Sequence, residues 1–122
     1  MKRILVVEDT EDNRRIVRDL MSAAGYELIE AVDGISGVAA AARERPDLIL
    51  MDIQLPGIDG YEATRRIRAL PEIGKVPIIA VTSYALSGDE AKARDAGCDG
   101  YVAKPYSPRQ LLAKVREFLP AD

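Results

Sequence analysis

Three short apolar runs, Ile4 to Val7, Leu48 to Met51 and Ile78 to Val81, most restrict what this chain can fold into. Each has the length of a strand and is bounded by polar or turn residues. None alternates with polar side chains, so each suits a strand covered on both faces, as in a parallel sheet. A fourth segment, Glu27 to Val32, mixes Leu28 and Ile29 with Glu30 and predicts a less buried edge strand. A fifth runs from Gly100 to Ala103.

Helical patterns separate these strands. Ile16, Val17, Leu20, Met21 and Ala24 recur at steps of three and four residues, and Gly25 supplies a stop. The second pattern follows Asp33 as N-cap, carries Gly37, Val38, Ala41 and Ala42, and ends before Pro46. Its small residues imply close packing on the sheet. The third begins at Asp59 with Glu62 three residues on, the fourth at Ser87 with Glu90, and the fifth at Ser107 with Pro108 and Gln110. All three read as capping boxes.

Strict alternation of strand and helix indicates right-handed crossovers, hence an α/β fold: a doubly wound, five-stranded parallel sheet with five helices. The chain of 122 residues is the size of one domain, taken as 1–122, and no output module is expected after Asp122. Its 48% hydrophobic and 30% charged residues exclude disorder. The 17 basic and 20 acidic residues form no basic stripe, so direct nucleic-acid binding is not expected. Apolar runs this short cannot insert in a membrane, and Met1-Lys2-Arg3 leads into a strand without a signal-peptide core, which points to the cytoplasm. The absence of histidine rules out Ser-His-Asp and Cys-His machinery, and the single cysteine, Cys98, reads as a small, partly buried hydrophobe.

Ligands of doubly wound sheets gather beyond the C-terminal strand ends. Those ends carry Glu8-Asp9, Asp52, Thr82-Ser83 and Lys104-Pro105. Any one of them could be a cap or a solvated loop residue, but the set is harder to dismiss. Three carboxylates in one crevice repel each other and one lysine cannot neutralise them, which calls for a hard divalent cation, Mg²⁺. Asp52, at the mouth of a central strand, is the expected nucleophile toward phosphorus, with the metal, supported by Asp9 and Glu8, and the Lys104 cation offsetting the charge, and the Thr82 hydroxyl donating to a phosphoryl oxygen.

The segments Leu5-Val6-Val7-Glu8-Asp9, Leu50-Met51-Asp52-Ile53-Gln54-Leu55-Pro56, Val81-Thr82-Ser83 and Gly100-Tyr101-Val102-Ala103-Lys104-Pro105 resemble the signature segments of two-component response-regulator receiver domains, and the whole chain is similar to stand-alone receivers of the DivK cell-division type. The resemblance implies the flavodoxin-like receiver fold with strand order 2-1-3-4-5, and it implies that Asp52 is the phosphoacceptor. It implies that Asp9 and Asp52 bind Mg²⁺ together with the Gln54 backbone carbonyl, and that Glu8 reaches the ion through water. Lys104 would pair first with the acceptor and then with the phosphoryl group, and the Lys104-Pro105 bond would be cis. The commoner family pair is Asp-Asp, so Glu8 is a departure. Thr82 and Tyr101 match the switch pair that reshapes the face made by the fourth helix, fifth strand and fifth helix. Gln54 and Tyr84 fall where side chains tune loss of the phosphoryl group to water. The implied partners are a histidine kinase or histidine phosphotransfer protein, meeting the surface near Asn13, Arg14, Ile16 and Val17, and a downstream protein target; a homodimer is left open. Of Ile16 and Val17, at least one is expected in the core.

Three other functions use a similar sheet or site. An aspartyl-phosphate phosphatase needs a second acid two residues after the nucleophile, where this chain has Gln54. A flavodoxin-like cofactor binder needs a phosphate cradle in its first loop, yet Glu8, Asp9, Glu11 and Asp12 would repel phosphate. A phosphorylation-independent, receiver-like scaffold would be signalled by loss of Asp52 or Lys104, and both are present.

Overall fold

The computed structural model describes residues 1–83 and 89–120. Ten elements alternate along it: β1 (Arg3–Val7), α1 (Glu11–Ala23), β2 (Glu27–Ala31), α2 (Gly34–Glu44), β3 (Leu48–Asp52), α3 (Gly60–Arg68), β4 (Ile78–Thr82), α4 (Asp89–Ala96), β5 (Gly100–Ala103) and α5 (Pro108–Phe118). The strands form one parallel sheet in the order β2-β1-β3-β4-β5. Its three central strands are the three apolar runs. Covering both faces of a strand favours apolar side chains along its length, and Ile4, Leu5, Leu48, Ile49, Ile78 and Ile79 have no exposed surface.

Two cores follow, one on each face. Val17 and Met21 of α1 and Leu111 and Val115 of α5 pack on Ile4, Val6, Leu48, Leu50 and Ile79. On the other face, Ala40 and Ala41 of α2, Ala63 and Ile67 of α3 and Ala93 of α4 pack on Leu5, Val7, Ile49, Met51, Ile78 and Ala80. Burial of this apolar surface, worth roughly 25 cal/mol per Å², supplies the main drive to fold.

Element ends follow local chemistry. Asp33 and Ser107 cap α2 and α5, each in a reciprocal box with Ser36 or Gln110. Asp59 caps α3 through the Glu62 amide, whereas the Glu62 carboxylate turns to Arg66 and Arg65 instead of closing the expected box. The fourth expected box starts at Ser87, which lies outside the described residues. After α1, Gly25 takes φ +92, the left-handed region that glycine enters without a Cβ clash. The edge strand stops at Ala31, one residue short of the expected Val32, which is half exposed. In α2 it is Ala40, not Ala42, that joins Gly37 and Ala41 against the sheet, and Ala42 faces out.

Candidate functional site

The parallel register brings the C-terminal strand ends level with one another. Val7 pairs with Met51, Asp52 with Val81, and Thr82 with Ala103. Glu8 and Asp9 therefore leave β1 beside the end of β3, while Lys104 leaves β5, its amide held by the Thr82 carbonyl at 2.7 Å. The Lys104–Pro105 bond is cis. Gly60 places the start of α3 hard against the end of β3: a Cβ there would lie 2.3 Å from the Asp52 carbonyl oxygen.

Asp52 is 4% exposed, and both its carboxylate oxygens have donors. Oδ1 accepts from the Gln54 amide at 3.1 Å and Oδ2 from Lys104 Nζ at 3.2 Å. Glu8, also buried, accepts from Lys104 Nζ at 2.9 Å and Asn13 Nδ2 at 3.3 Å on Oε1, and from the Thr10 amide at 3.0 Å on Oε2. Asp9 is exposed. Carboxylate oxygens of Glu8, Asp9 and Asp52 all lie within 4.8 Å of one another.

Titration behaviour follows this crowding. Burial, reinforced by the Glu8 charge, pushes the Asp52 carboxyl up to about 6, against the opposing pull of Lys104 and the Gln54 amide. Burial also acts to raise Glu8, but the Thr10 amide and Lys104 together outweigh it and hold Glu8 below the usual range. Sharing a hydrogen bond with Glu8 raises Asp9. Lys104 stays firmly charged, since Glu8 and Asp52 outweigh the burial that would strip its proton. Three carboxylates against one ammonium leave two negative charges. Hard oxygen donors in that charge balance fit a hard divalent cation.

Other expected residues are placed as follows. Thr82 is buried at the end of β4, and the register puts it on the same sheet face as Tyr101, which is half buried against the α2–α3–α4 core. Tyr84 lies outside the described residues. Ile16 is 52% exposed and Val17 only 5%, so one of the pair is core. Ile16 lines an open groove with Asn13, Ser83, Lys104, Pro105 and Tyr106. Cys98 is buried, its Sγ 3.7 Å from Thr64 Oγ1, and burial raises its thiol, so it is inert packing.

The residues that hold Glu8 carry no site motif in the sequence. Asn13 reaches its carboxylate, and Arg14 Nη1 donates to its backbone carbonyl at 2.8 Å. The available signal was their position in the first turn of a helix that begins three residues after Glu8.

The chain belongs to the response regulator receiver domains, whose family model matches residues 4–116. It is 42% identical to the polar-differentiation response regulator DivK of Brucella anthropi over 118 residues, covering 97% of this chain and 96% of that one, and 41% identical to DivK of Brucella ovis over the same span. Among solved structures it is similar to the receiver domain of sensor histidine kinase PA1611 from Pseudomonas aeruginosa, which holds a magnesium ion in its active-site cleft. That likeness has TM-score 0.90, 40% identity and coverage of 98% of both chains. The Vibrio cholerae chemotaxis protein CheY4 superposes with TM-score 0.92 at 28% identity, over 97% of this chain and 98% of its own. Among the described residues no helix is long and apolar enough to cross a membrane.

Proposed function

We propose that this receiver works as a phosphoryl-accepting switch with Asp52 as acceptor. The observation that carries the reading is the placing of the Lys104 ammonium between the buried carboxylates of Asp52 and Glu8, with Asp9 completing an acidic set. An oxygen of Asp52 attacks phosphorus of a phosphohistidine. A phosphorus–oxygen bond forms as the phosphorus–nitrogen bond breaks, and the imidazole nitrogen keeps the electron pair. Lys104 follows the charge onto the phosphoryl oxygens, and Thr82, at the neighbouring strand end, donates its hydroxyl to one of them.

Asp9 and Asp52, with the Gln54 carbonyl, would hold Mg²⁺ directly, and Glu8 through water; the magnesium described for the Pseudomonas receiver supports this. Bound there, the ion neutralises charge on the phosphoryl oxygens. Movement of Thr82 toward the phosphoryl group lets Tyr101 turn inward and reshapes the α4-β5-α5 face for a downstream protein. The donor is a histidine kinase or histidine phosphotransfer protein, seated on the groove beside Ile16, and the setting is the cytoplasm, where ATP-charged donors are made. The only chemistry assigned to the chain is assistance to its own phosphorylation and slow self-dephosphorylation, tuned by Gln54 and Tyr84.

Beryllofluoride titration followed by NMR tests the reading. Saturation of the Asp52 region with Mg²⁺ present, and none without it, is expected; binding that ignores Mg²⁺, or no binding in either case, would overturn it.

A further inference from the structure

Glu8 is gripped by the first turn of α1 independently of the lysine. The Thr10 amide meets Oε2 at 3.0 Å, Asn13 Nδ2 meets Oε1 at 3.3 Å, and Arg14 Nη1 meets the backbone carbonyl at 2.8 Å. Lys104 shares Oε1 with Asn13. In the phosphorylation proposed above, Lys104 has to give up Glu8 in favour of the new phosphoryl group. A buried carboxylate that loses its ammonium partner with nothing in its place is heavily penalised, because its desolvation is no longer offset. Asn13 is a neutral donor already on that same oxygen. It adds no charge that would compete with the phosphoryl group.

We propose that Asn13 is a positioning residue: its amide keeps the Glu8 carboxylate in place and hydrogen-bonded, which frees Lys104 to move from Glu8 to the phosphoryl group on Asp52. Glu8, one methylene longer than the aspartate common at this position, reaches Lys104 directly, and the first turn of α1 supplies the restraint that this reach requires. Without Asn13, Oε1 has Lys104 as its side-chain donor, the Glu8–Lys104 pair tightens, and the acceptor is left with less of the cation. The inference rests on Asp52 being the acceptor.

The test is a cycle of parent, Asn13→Ala, Glu8→Ala and the double variant, labelled by acetyl phosphate in Mg²⁺ with the labelled residue mapped. Alanine is a strong helix former in a half-buried first turn, so α1 persists. Asn13→Ala is expected to slow labelling on the order of tenfold in the parent and not at all in the Glu8→Ala background. In metal-free protein without any donor, proton exchange from the Lys104 ammonium, read by NMR, should slow in Asn13→Ala as the pair with Glu8 tightens. Equal slowing of labelling in both backgrounds, no slowing in either, or unchanged ammonium exchange would each overturn the role of Asn13. Labelling of the parent at a residue other than Asp52 would overturn the acceptor reading and this inference with it, whereas labelling at Asp52 that is indifferent to Asn13→Ala sinks this inference alone.

Discussion

Lys104 Nζ lies nearer to Glu8 than to Asp52, 2.9 Å from one carboxylate and 3.2 Å from the other. The cation is thus shared before any phosphoryl group arrives, and Glu8 both withdraws positive charge from Asp52 and adds negative charge beside it. Each effect favours the protonated form of Asp52 and adds to the burial that already raises it.

Glu8→Gln should therefore bring the Asp52 carboxyl below about 6 in metal-free protein, since the neighbouring negative charge is gone and Lys104 is released to Asp52. Titration of the Asp52 side-chain carbon by NMR reads this directly. A midpoint that stays in place would mean that burial alone sets it.

Asp52→Asn should stabilise the metal-free protein near neutral pH. The carboxyl titrates at about 6 when folded against 3.8 for its reference, so the native state holds the proton more tightly. The penalty of the ionised form is complete above about pH 6, shrinks between there and pH ~4, and is absent below both values. At 1.36 kcal/mol per unit it amounts to at most about 3 kcal/mol. Urea unfolding at about pH 7.5 should show the variant ahead, and the lead should vanish near pH 4 or on saturation with Mg²⁺, which binds only the folded parent site. A lead independent of pH would show that the ionised carboxylate carries no such penalty.

Gly60→Ala should cost about 2–3 kcal/mol and impair phosphorylation as well, because the added methyl meets backbone, not a side chain that can step aside. It would sit 2.3 Å from the Asp52 carbonyl oxygen and 2.7 Å from the Ile53 Cα, so the end of β3 must move with Asp52 on it. Gly57→Ala, in the loop just before α3, is the contrast. Nothing lies within 4 Å of where its added Cβ would sit, and its φ of +76 alone predicts a loss of about 1 kcal/mol with labelling unchanged. Equal losses of labelling in the two variants would refute the close-approach argument.

The parallel sheet and the converging strand ends were legible in the sequence because fully apolar runs suit strands covered on both faces, and because Asp52 follows such a run directly and Lys104 follows the last strand. The Glu62 carboxylate was not. Whether it closes a capping box or pairs with Arg65 and Arg66 depends on rotamers of near-equal energy on an exposed helix face, which residue spacing does not resolve. Ala40 and Ala42 were exchanged for a similar reason: in a helix rich in alanine, hydrophobicity does not mark which side faces the sheet. The partners of Glu8 were hidden because Asn13 and Arg14 have many uses at a helix start, and only the path of the chain after β1 turns them back toward the site.

Ile16 provides the test of where a protein donor sits. It is 52% exposed, while Val17 beside it is 5% exposed and belongs to the core, so the two neighbours separate docking from packing. Ile16 shares a groove with Lys104, Pro105 and Tyr106, and Lys104 bonds Asp52, so an apolar helix face carrying a phosphohistidine there would bring phosphorus toward Asp52. Ile16→Asp places a charge on that wall and removes no core contact, so unfolding should shift by no more than about 0.5 kcal/mol. Phosphotransfer from a phosphorylated histidine phosphotransfer protein should slow roughly tenfold, equivalent to about 1.4 kcal/mol of lost docking. Labelling by acetyl phosphate, which needs no docking surface, should be unchanged. Loss of both activities would place Ile16 in the chemistry of the site, and loss of neither would move the docking surface away from α1.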